Sequence, residues 1–305
     1  MIILVSAPTN LGLRPPQIGS VPGTAKAPEA LREAGFHEQL VRLGAREGGV
    51  VLPETYLDDD ASRSPETLRN QDQIIDHSRR LAERIAPIVA AGDTPLVLGG
   101  DCSLLLGAGL ALASHQRSGL IHLDGHTDFR HPGNSTACAS LAGEDLAAAV
   151  GMHWPAIANI DGLGPYFPAD RAAHIGHRPS DEEAAEAAQV LGLTLPATSL
   201  TALGAGEVAA RAMRVAGSEY WLQLDVDILD PSVFPAVDSP DPGGLMPEEL
   251  IELLRALAPS ALGASVTVFD PDLDPTGSFA RLLSEILLAG LSDLGSARRE
   301  NTPTR

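Results

Sequence analysis

The sequence predicts an α/β fold in which helices cover both faces of a mostly parallel sheet, a three-layer α/β/α arrangement. Short apolar runs of strand length alternate with segments of helical periodicity along most of the chain. The apolar runs are nearly continuous, which is typical of strands that are buried on both faces. Hydrophobic residues make up 44% of the 305 residues, which is enough for a sizeable buried core.

Six runs are predicted as strands and eight segments as helices. The predicted strands are residues 2–6, 95–98, 119–123, 172–175, 220–224 and 265–269. The predicted helices are residues 28–34, 66–90, 103–114, 141–150, 181–191, 205–215, 247–257 and 279–288. In the second helix Ile74, Leu81 and Ile85 recur at helical spacing, and Pro87 is expected to kink or end it. The helix at Pro247 begins with proline followed by two glutamates, a good N-terminal signal.

The charge balance excludes two classes of partner. The chain has 21 Lys and Arg against 40 Asp and Glu, a formal net charge of −19. Nucleic acids and anionic membrane surfaces repel such a protein, whereas metal ions and small basic substrates do not. No apolar run approaches the ~20 residues that a membrane span needs. The start of the chain lacks a basic region and reaches Pro8 too early for a signal peptide, so a cytoplasmic protein is expected.

The chain is expected to form one domain, residues 1–291, followed by a polar tail, residues 292–305, that frays. The polar, acidic segment 53–65 is predicted to be an exposed loop. The two cysteines, Cys102 and Cys138, cannot form a disulfide framework, so each is considered first as a ligand or nucleophile.

Four of the predicted strands end in polar clusters. These clusters are GGDCS at 99–103, DGHTD at 124–128, DVDILDP at 225–231 and DPDLDP at 270–275. In parallel sheets, ligands bind beyond the carboxyl ends of the strands. The side chains of these clusters are therefore expected to share one rim.

The acidic rim predicts a metal site. Asp124, Asp128, Asp225 and Asp227 would repel one another unless protons or cations neutralise them. The D-x-H-x-D spacing also puts His126 on the same side as its two neighbours. Carboxylates with one imidazole suit Mn²⁺, and two ions are plausible because carboxylates can bridge. The alternative is that each Asp only caps a helix or forms a turn.

These motifs resemble those of the arginase–agmatinase (ureohydrolase) family. The cluster at 99–103 resembles the family's GGDHS with Cys102 in place of the histidine, 124–128 resembles DAHxD, and 225–231 resembles DVDxxDP. The likeness extends over roughly residues 20 to 290. It implies an arginase-like fold and a binuclear manganese site whose bridging hydroxide attacks a guanidinium carbon and releases urea or a urea analogue.

The resemblance also implies which residues hold each metal. One ion would take Cys102, Asp124, Asp128 and Asp225. The other would take His126, Asp124, Asp225 and Asp227. A thiolate is a softer ligand than imidazole, so Zn²⁺ or Fe²⁺ could compete with Mn²⁺ at the Cys102 site. Alternatively, Cys102 is only a small buried residue and one metal is weakly held. Cys138 matches no motif and is expected to be inert.

Two further departures from the family pattern affect the predicted catalytic and substrate residues. Ala142 falls where the family has a proton-shuttling histidine. Glu144, Asp145, His131 or His153 could substitute, and Glu144 is the predicted catalytic residue beside Asp128. Val268 falls where the family has a glutamate that holds the guanidinium. Asp270, Asp272 or Asp274 could supply that carboxylate, or all three could only shape a turn. The predicted substrate contacts are Ser140, Asp181, Asp270 and Asp272, and Asp270 is also a predicted catalytic residue.

The predicted function is hydrolysis of a C–N bond in L-arginine, N-hydroxy-arginine or another small cationic guanidino compound. An N-hydroxylated guanidine fits because its lower pKa eases attack and its leaving group needs less proton assistance. The alternative is a family member that binds metal without catalysis and acts as a regulatory subunit. Amide hydrolysis by the related one-zinc deacetylase branch is a more remote option. The chain could form a homo-oligomer, since family relatives are commonly trimers or hexamers.

Overall fold

The computed structural model describes residues 1–113 and 118–300, without the side chains of residues 299 and 300. Its centre is an eight-stranded sheet in which every neighbouring pair of strands is parallel. The strands are β1 (Ile2–Ala7), β2 (Arg46–Val50), β3 (Thr94–Gly99), β4 (Gly119–Leu123), β5 (Ala172–His177), β6 (Leu193–Pro196), β7 (Tyr220–Asp225) and β8 (Gly263–Thr267). Their order across the sheet is β2-β1-β3-β8-β7-β4-β5-β6.

Helices lie against both faces of this sheet. They are α1 (Ala27–Glu33), α2 (Phe36–Arg42), α3 (Gln71–Ala90), α4 (Leu104–Leu112), α5 (Asp145–Ala149), α6 (Pro155–Ala158), α7 (Ala184–Val190), α8 (Thr198–Leu203), α9 (Ala205–Ala216), α10 (Pro247–Leu257), α11 (Ser278–Leu291) and α12 (Ser296–Glu300). None of the helices in the described ranges is long and apolar enough to cross a membrane.

Two hydrophobic cores, one on each face, confirm the predicted three layers. In β3, Leu96 and Leu98 pack into the core that α9, α10 and α11 complete. Val97, between them, points the other way into the core that includes α3, α4 and α5. All six residues of this strand are buried, which explains why its sequence is continuously apolar instead of alternating.

All six predicted strands are present, and the prediction missed the two strands at the edges of the sheet. β2 has the sequence REGGV and is largely exposed, and β6 is four half-buried residues that end in proline. Edge strands are often short, polar or proline-containing, since such features discourage pairing with another chain. An apolar-run criterion therefore does not find them.

The predicted helices are present, the one over 247–257 with the predicted bounds and the others with changed ends. The helix expected over 66–90 begins only at Gln71, because Asn70 has a left-handed backbone, and it continues past Pro87 to Ala90. The helix expected over 141–150 is split into a 3₁₀ turn, Leu141–Gly143, and α5. Residue 114, the predicted end of the α4 helix, lies outside the described residues. Helices α2, α6, α8 and α12 were not predicted.

The ends of the chain and the polar loop also bear on the predictions. Residues 53–65 contain neither helix nor strand, as predicted. The polar tail expected to fray includes α12, and residues 301–305 lie outside the described part of the chain. The division into a 1–291 domain and a tail stays a prediction.

The order of the strands brings the four polar clusters together. Strands β3, β8, β7 and β4 are consecutive in the sheet, and each is followed by one of the clusters. The turn after β3 is packed against the loop after β1. An added Cβ at Gly100 would lie 2.5 Å from the Thr9 carbonyl oxygen and 2.6 Å from its nitrogen. Only glycine fits this position without displacing backbone.

We expect Gly100→Ala to destabilise the fold by about 1–3 kcal/mol, because the methyl group must displace backbone atoms. Gly206→Ala is the matched control: this glycine lies in α9, and a Cβ there meets nothing within 4 Å. That change should stabilise by up to about 1 kcal/mol. Urea denaturation of the two variants measures both effects, and equal midpoints would contradict the packing argument.

Candidate metal centre

A cleft with a volume of about 710 Å³ opens at the carboxyl ends of the central strands. Its lining is rich in carboxylates and contains one buried thiol. The acidic or thiol side chains that line it are Cys102, Asp128, Asp181, Glu183, Asp225, Asp227, Asp238, Asp241 and Asp270. The cleft therefore favours cations, whether metal ions or a basic substrate.

One group of possible metal ligands lies where β3, β4 and β7 end. Ligand atoms of Cys102, Asp124 and Asp225 all lie within 4.8 Å of one another, and all three residues are buried. The Cys102 Sγ donates to Asp225 Oδ2 at 2.9 Å. Asp225 Oδ1 accepts from the backbone N–H of Asp227 at 2.9 Å, which fixes the turn that carries both carboxylates.

A second group shares Asp124 with the first. Ligand atoms of Asp124, His126 and Asp227 also lie within 4.8 Å of one another. His126 Nδ1 is 2.8 Å from Asp227 Oδ2 and 3.8 Å from Asp124 Oδ1. His126 Nε2 is 3.3 Å from Asp241 at the exposed side of the cleft. Asp124 thus stands between two groups of donors, the position that a bridging carboxylate would occupy.

Asp128 is held in an unusual backbone conformation beside these groups. Its φ is 47°, in the left-handed region that non-glycine residues rarely adopt. Its carboxylate lies within 4.8 Å of ligand atoms of Cys102 and Asp145, and also of His122 and Asp124. The structure therefore brings together all six predicted ligands and adds His122 and Asp145, neither of which was predicted as one. His122 is the one polar residue in the run 119–123, a signal that the sequence analysis left unused.

Burial and crowding disfavour the ionisation of three carboxylates in this region. Burial, followed by repulsion from neighbouring carboxylates, raises the pKa of Asp124, Asp128 and Asp225 well above the ordinary aspartate value. Burial likewise raises the pKa of the Cys102 thiol. Burial lowers the pKa of His126, but Asp227 and Asp241 outweigh it and raise that pKa to about 9. Binding a proton or a cation relieves the repulsion among such crowded carboxylates.

The donor set fits divalent cations. The Oδ2 atom of Asp124 is buried and has no hydrogen-bond partner among the described residues. A buried carboxylate oxygen without a partner is costly, and a cation within reach removes that cost. A set of mostly carboxylate donors with one imidazole suits Mn²⁺, and a thiol nearby would favour softer ions.

The predicted substrate residues fall into two sets. Ser140, Asp181 and Asp270 line the cleft. Asp181 accepts from the N–H and hydroxyl of Thr127 at 2.7 and 2.8 Å. Asp270 is buried and accepts from the N–H of Gly23 at 3.1 Å. Asp272, by contrast, does not line the cleft, because its carboxylate pairs with Lys26 at 2.5 Å on the surface.

Glu144 does not reach the cleft. Its carboxylate is fully buried and accepts from the backbone N–H groups of Ala139 and Ser140 at 2.8 and 3.1 Å. His153 Nε2 lies 2.8 Å from its other oxygen. Glu144 is a predicted substitute for a histidine at Ala142, which does line the cleft, but the 3₁₀ turn Leu141–Gly143 directs the glutamate inward. Its side chain braces the loop that carries Ser140.

His131, His153 and Asp274, which were also considered for the missing histidine or carboxylate, are engaged elsewhere. His131 pairs with Glu186 at 3.2 Å, and neither His131 nor His153 lines the cleft. Asp274 accepts from the N–H of Ala280 at 2.8 Å in the first turn of α11. Cys138 is buried, as expected of an inert residue, and burial raises its pKa to about 12.

Arg178 is a structural residue that the sequence analysis did not assign. It is almost fully buried, and its guanidinium donates to the carbonyl oxygens of Gly176, Asp227 and Leu229 at 3.0, 2.7 and 3.1 Å. These bonds tie the loop after β5 to the turn that carries Asp227. The only cue in the sequence is its place directly after a strand.

The sequence as a whole matches one family description. A model described as "Arginase family" matches residues 2–291. The chain belongs to the arginase family. The arginase of Brevibacillus brevis is 28% identical over 283 residues, covering 89% of this chain and 93% of that protein. A solved structure of arginase from Bacillus caldovelox superposes with a TM-score of 0.83 at 27% identity, covering 96% and 97% of the two chains.

A third relative has a different named substrate. The N(omega)-hydroxy-L-arginine amidinohydrolase of Streptomyces lavendulae is 28% identical over 145 residues, which is 47% of this chain and 48% of that protein.

The match to the family model and the superposition on the solved arginase confirm the predicted family and the arginase-like fold. Arginase-family membership makes the chain a hydrolase of the ureohydrolase type, which acts on linear amidine C–N bonds.

The raised carboxylate pKa values predict how stability depends on pH without metal. An aspartate whose folded pKa exceeds its unfolded value of about 3.9 stabilises the fold at low pH and loses that contribution as pH rises through the folded pKa. The raised pKa of His126 acts in the same direction up to about 9. With chelator present, Tm should therefore fall as pH rises from neutral toward about 9.

Excess Mn²⁺ should reverse this trend, because metal competes with protons for the same oxygens and binds more tightly as pH rises. Differential scanning fluorimetry with and without Mn²⁺ compares the two slopes. A metal-free Tm that is constant or rises over this range would show that the carboxylates do not repel one another in the folded chain.

Proposed function

We propose that the chain binds two divalent cations, Mn²⁺ in the first instance, and hydrolyses a small cationic guanidino compound to urea or a urea analogue. The observation that carries this proposal is the pair of donor groups that share Asp124. One group, with Cys102 and Asp225, is adjacent to Asp128. The other contains His126 and Asp227. Cations bound there would supply a nucleophile at neutral pH by lowering the pKa of a bound water.

The side chains around the cleft suit the binding of a positive charge. Asp181, Glu183 and Asp270 line it together with the proposed ligands. The Thr127 bonds hold the Asp181 carboxylate rigidly at the mouth. A guanidinium ion requires an anionic partner, and Asp270 lies three residues after the end of β8, close to Val268, which cannot supply one. We infer that Asp270 is the partner of the guanidinium.

The lining near Ser140 favours a substrate whose leaving group needs little proton assistance. Ala142 and Gly143 line the cleft here, and the neighbouring Glu144 is committed to Ala139, Ser140 and His153. No titratable side chain in the described stretch 139–143 could deliver a proton. An N-hydroxylated guanidine meets this condition, and one relative of the chain is named for such a substrate.

The same lining is the observation that favours the second candidate, a metal-binding member without catalysis. If catalysis needed a proton donor at Ala142, the cleft would bind metal and ligand without turnover. A panel of L-arginine, agmatine and N-hydroxy-L-arginine, assayed for urea or hydroxyurea with Mn²⁺-loaded protein, separates the two candidates. Turnover of any compound eliminates the non-catalytic candidate, and turnover of none eliminates the hydrolase.

Asp128→Asn should reduce the rate on the best compound of the panel by more than about 100-fold, because the change removes a charged ligand at the first group. The matched control is Glu207→Gln, which removes an exposed carboxylate that pairs with Arg211 on α9. The control should retain the full rate. A rate that survives Asp128→Asn would place the chemistry somewhere other than this cleft.

Asp270→Asn should raise KM for a cationic guanidino substrate about tenfold or more, because a charged hydrogen bond contributes about 1.5–3 kcal/mol. Asp272→Asn tests the same sequence run outside the cleft, where the lost partner is only Lys26. It should change KM less than twofold. Equal effects of the two changes would show that the run acts through its fold and not through the Asp270 carboxylate.

Of the predicted partners, the cleft bears directly only on the small cationic substrate. A homo-oligomer and a cytoplasmic location stay predictions. Gel filtration with light scattering determines the first, and fractionation of the source cells determines the second.

A further inference from the structure

Four buried polar atoms behind the cleft face one another without hydrogen-bond partners among the described residues. They are His122 Nε2, Asp124 Oδ2 and both carboxylate oxygens of Asp145. His122 Nε2 lies 3.6 Å from Asp124 Oδ2 and 3.8 Å from Asp145 Oδ1. His122 is 1% exposed and Asp145 is 0% exposed.

Two segments converge to build this group. His122 lies in β4 and Asp124 directly follows it, so the two side chains lie on the same side of the extended segment. Asp145 is the first residue of α5, which packs beside α4 on one face of the sheet. Burying an unpaired carboxylate or imidazole costs free energy, so two unpaired carboxylate oxygens within 3.8 Å of one unpaired imidazole nitrogen indicate a ligand between them.

The spacing and chemistry suit a divalent cation. Metal–ligand bonds of about 2.0–2.2 Å in a tetrahedral site put neighbouring ligand atoms roughly 3.5 Å apart. The His122 distances of 3.6 and 3.8 Å are close to that value. Asp128 belongs to a group with His122 and Asp124 and also to a group with Asp145, so its carboxylate completes a set of one nitrogen and three carboxylates.

His174 orients His122 as a ligand would require. The two residues face each other in the register of β4 and β5, and their Nδ1 atoms are 3.0 Å apart. A metal-bound histidine donates its other ring N–H to a neighbouring acceptor. If His122 Nδ1 donates to His174 Nδ1, its Nε2 carries a free lone pair directed at Asp124 and Asp145.

The two carboxylate oxygens of Asp124 face different groups of possible metal ligands. Its Oδ1 accepts from the N–H of His126 at 2.7 Å and faces the outer group, whereas its Oδ2 faces His122. The Cys102 thiol, unlike His122 and Asp145, already has partners, since it donates to Asp225 and lies 4.0 Å from the Thr267 hydroxyl. The thiol is therefore not needed as a ligand.

We propose that His122 and Asp145 join Asp124 and Asp128 as ligands of the first cation, in place of Cys102. The cation would then lie beside His122 and Asp145, which do not line the cleft, instead of beside Cys102, which does. This assignment rests on the proposed function only in that Asp124 and Asp128 are cation ligands in both. It explains why a chain with Cys102 also carries an aspartate at the start of α5 and a histidine inside an apolar strand.

Metal titration of ligand variants tests the assignment. Wild type, Asp145→Asn and His122→Gln are stripped with chelator, and the binding of Mn²⁺ and Zn²⁺ is measured by calorimetry and by metal analysis after dialysis. Each variant should lose affinity for one equivalent about 10- to 100-fold and keep the other equivalent. Asp274→Asn is the control, because it removes a buried carboxylate that accepts from Ala280 at the start of α11 and belongs to none of the ligand groups. Its affinities should match wild type.

The variant Cys102→Ser tests the alternative, in which the thiol is the metal ligand. We expect it to change neither affinity by more than about threefold. Affinities that are unchanged in Asp145→Asn and His122→Gln but weakened in Cys102→Ser would overturn the assignment and restore the thiol as the ligand. Unchanged affinities in all three variants would also overturn it and would show that Asp145 is simply protonated.

Crystals of the wild-type chain grown with Zn²⁺ provide a test that needs no variant to fold. An anomalous difference peak within bonding distance of His122 Nε2 and Asp145 supports the assignment, and peaks only beside Cys102 or His126 refute it. The guanidino assays are independent of this result. Metal at His122 without turnover would leave the assignment intact and refute the proposed function, and turnover with no metal at His122 would do the reverse.

Discussion

The repulsion among buried carboxylates at the ends of β4 and β7 is the constraint on which the rest of the site depends. Ligand atoms of Asp124 lie within 4.8 Å of those of Asp128, Asp225 and Asp227, and all four residues are buried. The sheet and the two cores around it hold the strand ends rigidly, so the carboxylates cannot separate to relieve the repulsion. The fold thus retains a destabilising cluster of carboxylates that only positive charge can neutralise.

This constraint also explains the loops around the cleft. Glu144 and Arg178 are buried and satisfied by backbone groups of the very loops that carry Ser140 and Asp227. They contribute rigidity rather than chemistry. Asp181 and Asp270 are likewise fixed by backbone N–H groups while they line the cleft. A cationic substrate would therefore meet preorganised charges, which lowers the cost of ordering on binding.

The sequence predicts the central strands and the position of the site well, because both depend on local pattern. Runs such as 95–98 must be apolar when helices cover both faces, and polar residues at their ends must meet at one rim. The sequence does not reveal that Glu144 turns inward or that Asp272 turns outward to Lys26, since a single 3₁₀ turn decides each direction. Nor does it reveal that His122 lies beside Asp145, because their proximity depends on how α5 packs beside α4.

The most direct test of the central claim is the metal content of the wild-type chain after chelator treatment, reconstitution with Mn²⁺ and exhaustive dialysis. If the crowded carboxylates exist to bind a pair of cations, two equivalents should remain per chain, measured by inductively coupled plasma mass spectrometry. Retention of less than one equivalent, with the chain still folded, would mean that protons alone neutralise these carboxylates and would contradict the claim.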